Sequence, residues 1–207
     1  MYHTVEVRWF IKGNIPPEVW TWISQHGPVP VEPAARVDHY LRITEGDSLG
    51  VKLREGRIEV KQRYSQPAVV RFADHAVGTV ERWCKWSFEL AEAGEFPELG
   101  GHKPGWIGVV KERLVHTFQV QRDESVIRVP LGVALGSGCG CEVARVKIAE
   151  SEEQWWSVGF EAFGHEADRW HTLLLVAKQL LSASTAPPLG LDASDSYPSW
   201  LQNLMSG

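Results

Sequence analysis

Charged side chains recur at every second residue in several short stretches of this chain. Glu6 and Arg8 share parity in TVEVRWFIK (4–12), as do Lys52 and Arg54, then Glu59, Lys61 and Arg63, in LGVKLREGRIEVKQR (49–63). Lys85 falls in RWCKWSF, Lys111 and Arg113 in VVKERLV, Glu142 in CEVARVKI and Glu161 in VGFEAF. Arginine and lysine present donors that match phosphate oxygens, and glutamates are hard oxygen ligands for Mg²⁺ or Mn²⁺. The cations Arg8, Lys52, Arg54, Lys61, Arg63, Lys85, Lys111 and Arg113 are eight, against the four acids Glu6, Glu59, Glu142 and Glu161. Eight minus four leaves these positions at +4 in a chain whose net charge is -5. If they converge on one interior, the field suits a polyphosphate carrying a divalent cation.

Convergence requires strands, because only a pleated backbone sends alternate side chains to opposite faces. Residues 49–63 read as a hairpin turning at Glu55-Gly56-Arg57, with Val51, Leu53, Ile58 and Val60 on its apolar face. Residues 4–12 form a first strand. The breaker cluster Gly13 to Pro17 then starts a short helix reaching Ile23, since proline is tolerated in a first helical turn. Further strands are expected at 36–43, from Ala68, and through Trp83, Lys85 and Ser87, which share a face opposite Cys84, Trp86 and Phe88. Residues 91–105, rich in glycine and proline, read as a loop. A strand or pair of strands is expected over WIGVVKERLVHTFQVQ, and another within RDESVIRVPLGVALGSG before its glycine-rich turn. A final hairpin follows, with its loop at Glu150 to Gln154. HEADRWHTLLLVAKQLL is the one long helix, with Ala167, Trp170, Leu174 and Leu181 as contact positions. The expected fold is therefore α+β: an antiparallel β-barrel or tunnel with flanking helices and a C-terminal helix. It spans residues 1–182, and 183–207 form a Ser/Pro-rich tail pinned through Leu189, Trp200 or Leu204.

At 207 residues, 43% hydrophobic and 23% charged, the chain has the balance of one soluble globular domain. An acidic total offers no overall attraction to nucleic acid or an anionic membrane. No apolar run approaches the ~18 residues of a membrane span, and MYHTVEVRWF lacks signal-peptide regions, so a cytoplasmic location is expected. Three cysteines without framework spacing read as reduced thiols. The eight histidines form no HExxH, and GVALGSGCG lacks the lysine of a phosphate-binding loop. One opposing arrangement has the charged faces in water and Val, Ile, Leu and Trp inside, as in a lipocalin-type carrier of an apolar ligand.

The pattern resembles the CYTH superfamily of triphosphate tunnel metalloenzymes. That family opens with a strand reading ExExK, matched here by Thr4-Val5-Glu6-Val7-Arg8, with Thr4 in place of the first acid and Arg8 in place of the lysine. Lys52, Arg54 and Lys61 resemble its basic pair and following lysine, while Lys85, Lys111 and Arg113 resemble later phosphate-holding positions. Glu142 and Glu161 resemble its C-terminal acids, although Gly159-Phe160-Glu161 supplies one acid where the family carries a pair. The resemblance implies a closed barrel in which Glu6, Glu142 and Glu161 are catalytic and hold Mg²⁺ or Mn²⁺. It also implies that Lys52, Arg54, Lys61, Arg63, Lys85, Lys111 and Arg113 hold the phosphates of a small-molecule ligand, with Arg8 on the terminal group. Two functions follow: metal-dependent hydrolysis of a triphosphate or inorganic tripolyphosphate, or non-catalytic binding of a phosphorylated or other organic anion.

Overall fold

The computed structural model describes residues 1–28, 35–89, 105–130 and 133–206. Its strands are β1 (Tyr2–Lys12), β2 (Ala35–Leu41), β3 (Leu49–Arg54), β4 (Arg57–Arg63), β5 (Ala68–Ala73), β6 (Ala76–Glu89), β7 (Trp106–Val120), β8 (Val126–Val129), β9 (Gly138–Ile148) and β10 (Gln154–Phe163). Helices are α1 (Pro17–Ser24), α2 (Glu166–Leu181) and α3 (Tyr197–Ser206), with a 3-10 turn at Leu191–Ala193. The strands run in the order β1-β10-β9-β7-β2-β3-β4-β6, and β6 pairs back onto β1, closing an eight-stranded antiparallel barrel. Closure removes every exposed edge from the ring. Two short strands sit off it, β5 on the first half of β6 and β8 on the last residues of β7. The expected α+β barrel is thus the observed architecture. WIGVVKERLVHTFQVQ is one long strand rather than two, and most of the loop expected at 91–105 lies outside the described residues.

The main core lies outside the barrel wall. Val5, Val7 and Trp9 of β1, Leu114 and Phe118 of β7, Val143 of β9 and Val158 and Phe160 of β10 all point outward. They meet Val19, Trp22 and Ile23 of α1 and Leu173, Val176, Ala177 and Leu180 of α2. Each such aliphatic side chain contributes about 1.5–3 kcal/mol by leaving water. The helices are held in register by polar links too: the Trp22 indole N–H donates to the Leu180 carbonyl at 3.1 Å. The buried stripe of α2 runs through Arg169, Thr172, Leu173, Val176, Ala177, Leu180 and Leu181. Of the four contact positions expected there, Leu181 is buried, Trp170 and Leu174 are partly covered, and Ala167 is exposed. Ala167 lies in the first turn of α2, where Glu166 and Asp168 beside it are exposed as well.

A second, smaller apolar layer fills the bore at one end. Phe10 lies two residues beyond Arg8, Tyr40 two beyond Asp38, Val109 two before Lys111, and Ala144 two beyond Glu142, so strand parity turns all four inward. Trp200 and Leu201 of α3 complete this layer. The segment after Ser182 therefore does more than trail from the domain. Leu189 is fully buried and bridges to Ala76, Ser194 bridges to Trp9, and α3 seats Trp200 on the barrel interior. Leu204 packs against the same layer. Among the described residues no helix is long and apolar enough to cross a membrane.

Candidate functional site

With its apolar face turned outward, the barrel encloses charge. A cavity of about 250 Å³ occupies the bore. Every strand of the ring sends a charged side chain to its wall: Glu6 and Arg8 from β1, Arg36 from β2, Lys52 and Arg54 from β3, Glu59 and Lys61 from β4, Lys85 from β6, Lys111 and Arg113 from β7, Glu142 from β9 and Glu161 from β10. Tyr2, Tyr40 and, from α3, Tyr197 line it as well. An eight-stranded barrel is wide enough for its own side chains plus one small ligand.

Around Glu6 the register sets the contacts. Glu6 lies opposite Glu161 on β10, and Lys61 of β4 is paired with Lys85 of β6. One Glu6 oxygen meets Lys85 Nζ at 2.7 Å and accepts the Thr4 hydroxyl at 2.5 Å, while the other meets Lys61 Nζ at 2.5 Å. Lys85 also reaches Glu161 at 2.7 Å. Burial alone would raise the Glu6 carboxyl, but Lys61 and Lys85 outweigh it and hold the group far below the usual carboxylate range. The Lys61 ammonium further sits 4.3 Å from the centre of the Trp83 ring, a cation–π contact.

The second cluster joins Arg8, Glu142 and Arg113. Arg8 Nη1 donates to one Glu142 oxygen at 2.7 Å and to Ser157 Oγ at 3.1 Å, and Arg113 Nη1 donates to the other Glu142 oxygen at 3.0 Å. Gly159 lies between Arg8 and Glu142 in the ladder. A Cβ there would stand 2.6 Å from the Arg8 guanidinium carbon, so this glycine is what lets Arg8 lie across β10. The bare position at 159 and the Arg8–Glu142 pair are one feature.

Asp38 anchors the third cluster. It is fully buried, with Lys111 Nζ at 3.1 Å, Arg36 Nε at 3.1 Å and Lys52 Nζ at 3.4 Å. Lys111 donates to the Tyr40 hydroxyl at 2.5 Å and lies 3.6 Å from the centre of the Tyr197 ring. Lys52 continues to Glu59 at 2.9 Å, and Glu59 also holds Arg54. Burial raises the Asp38 carboxyl, but Lys111, Lys52 and Arg36 bring it down to about 2; burial likewise raises Glu142, and Arg8, Arg113 and Lys111 bring it to about 2. Both acids bind protons more weakly folded than unfolded. Their contribution is therefore complete above their ordinary values of 4.5 (Glu142) and 3.8 (Asp38) and is lost as pH falls through about 2. Urea denaturation at stepped pH should show stability dropping by about 2–3 kcal/mol for each acid across that acidic window, with no comparable loss from pH 7 to 5.

Of the residues singled out in the sequence, all but one reach the cavity. Arg63 shares their parity but ends in a separate contact with Asp47 and Glu81, both at 2.5 Å, beside the Trp83 ring. It is not a cavity residue, its guanidinium being held by those two acids instead. Arg36, Asp38 and Tyr40 were readable from the alternation of RVDHYL, whereas Tyr197 comes from a segment without strand pattern. With Arg36 in place of Arg63 the wall carries eight cations and four acids, +4 by subtraction, or +3 once Asp38 behind it is counted.

Most carboxylate oxygens of the wall face basic side chains. Both oxygens of Glu6 and both of Glu142 face Lys or Arg partners, and one oxygen of Glu161 faces Lys85. Among the described residues no group of three or more His, Cys, Asp or Glu side chains is arranged to hold a metal. Neither models of known protein families nor curated proteins match this chain. Fold and site define it as a closed antiparallel barrel with a charged bore.

Proposed function

We propose that the protein binds a small phosphorylated anion inside its barrel, and that its relation to the CYTH superfamily is that of a divergent, non-catalytic member. One observation carries this: in an acidic protein, eight cationic side chains from six strands converge on one cavity and outnumber its acids two to one. A cavity near 250 Å³ lies below the roughly 300 Å³ at which drug-sized ligand pockets begin, which favours a short phosphate chain over a nucleotide. The acids of the wall already hold the cations by ion pairs, so less side-chain freedom is lost on binding. Hydrolysis is the weaker reading because Thr4 and Gly159 stand where the family carries acids, and the acids that remain are engaged by lysine and arginine. An apolar cargo is weaker still, since the charged groups face the cavity. A cytoplasmic location belongs to the same proposal.

Inorganic tripolyphosphate is the probe. At about 100 times its dissociation constant it should stabilise the fold by about 2.7 kcal/mol, a rise of several degrees in Tm that shrinks with added salt. A hydrophobic dye that binds, beside a Tm indifferent to tripolyphosphate, would replace this reading with the apolar carrier.

A further inference from the structure

Resting on the anion-binding reading, we infer that the tunnel takes its phosphorylated ligand without a divalent metal, and that the Arg8 guanidinium supplies the positive charge a metal would otherwise bring. Two features of the wall meet in this assignment, the seating of Arg8 over Gly159 and the hydrogen bond of Thr4 to Glu6. Gly159 carries no side chain, and the space a Cβ would fill is held by Arg8, whose Nη2 and guanidinium carbon both stand 2.6 Å from that point. Arg8 is fixed in place by Glu142 and by Ser157, both through Nη1. The Arg8 side chain borders the cavity, its guanidinium carbon 5.1 Å from the centre of the Tyr197 ring. Thr4 is fully buried and spends its hydroxyl on Glu6, so it adds a donor where a metal site would need another acceptor.

The chemistry separates a metal-free site from a metal-requiring one by sign. A divalent ion bound to Glu6 or to Glu142 would have to displace Lys61 and Lys85 from the one, or Arg8 and Arg113 from the other. A tripolyphosphate that keeps its full negative charge meets all eight cations instead. Magnesium complexed to the ligand lowers that charge by two and weakens the attraction.

Isothermal titration of the full chain with tripolyphosphate, once in EDTA and once in excess Mg²⁺, reads this directly. The expected result is tighter binding in EDTA, with Kd rising about tenfold when Mg²⁺ saturates the ligand. Mn²⁺ titrated against the protein alone should leave its electron paramagnetic resonance signal that of the free ion. Arg8→Ala should weaken binding in EDTA by about tenfold or more, and Arg8→Lys should recover part of it, with circular dichroism confirming that both remain folded. Binding that appears only with Mg²⁺ or Mn²⁺ overturns the inference and leaves the anion site standing. Binding in neither buffer overturns both. The wild-type comparison holds even where a variant does not fold.

Discussion

Glu142→Gln is expected to destabilise the protein by about 3 kcal/mol while tightening its grip on tripolyphosphate. Glu142 is largely buried and serves two guanidiniums, Arg8 at 2.7 Å and Arg113 at 3.0 Å. A glutamine oxygen accepts from one of them, but its amide N–H₂ faces the other, leaving a cation in a low-dielectric wall with no counter-charge. Removing one partner of a buried pair costs about 3–5 kcal/mol, and the lower end applies because Arg113 is partly open to water. For a chain of this size the loss lowers Tm by about 6–12 °C. The cavity meanwhile moves from +4 to +5, one charge more, because Glu142 is ionised at neutral pH. Tripolyphosphate should then bind roughly tenfold tighter, and at saturation it should return more stability to the variant than to the wild type. Denaturant titration and calorimetry on the same samples check both halves. A variant that loses stability without gaining affinity would show Glu142 to be part of the scaffold alone, and the cavity's excess charge would no longer explain ligand binding.

The opposite signs of those two effects reflect how the barrel is built, and that was legible in the sequence only in part. Alternation in 4–12, 49–63 and 154–163 places Glu6, Arg8, Lys52, Arg54, Lys61 and Glu161 on one face of their strands, because a two-residue repeat is a local property of the backbone. Whether that face looks inward depends on ring closure through the pairing of Tyr2 with Lys85, a contact between distant parts of the chain. The apolar repeats of α1 and α2 hint at closure, since two helices with buried faces need an apolar sheet surface to cover. Arg63 shows the limit of parity: it has the right face but is held by Asp47 and Glu81 instead of lining the cavity. Gly159 shows another limit, for a glycine inside a strand reads as a gap until the guanidinium that fills its space is seen. The least legible part is α3. Its Ser/Pro-rich approach has the composition of a tail, and what fixes it is packing of single aromatic residues against a surface the local sequence does not contain.

That packing makes Trp200 the residue whose truncation should reach furthest. Its ring stacks on Phe10 with centroids 4.5 Å apart and planes within 4°, and it meets Trp155 edge-on at 5.7 Å. Phe10 in turn holds Tyr197 at 4.9 Å, and Tyr197 covers Lys111 at 3.6 Å. Trp200→Ala removes the centre of this chain of rings and should cost about 3–5 kcal/mol. Trp200→Phe should cost only about 1 kcal/mol, because the buried indole N–H has no hydrogen-bond partner among the described residues and phenylalanine keeps the stack without it. The two variants should also part company at the cavity. With α3 loosened, Tyr197 leaves Lys111, and a cation–π contact worth about 2 kcal/mol in a desolvated setting disappears from the wall. Tripolyphosphate affinity should therefore fall in Trp200→Ala and stay near wild type in Trp200→Phe, measured by calorimetry below the variant's Tm. If Trp200→Ala is as stable as the wild type to within about 1 kcal/mol, α3 does not seat on the barrel and Tyr197 has no part in the site.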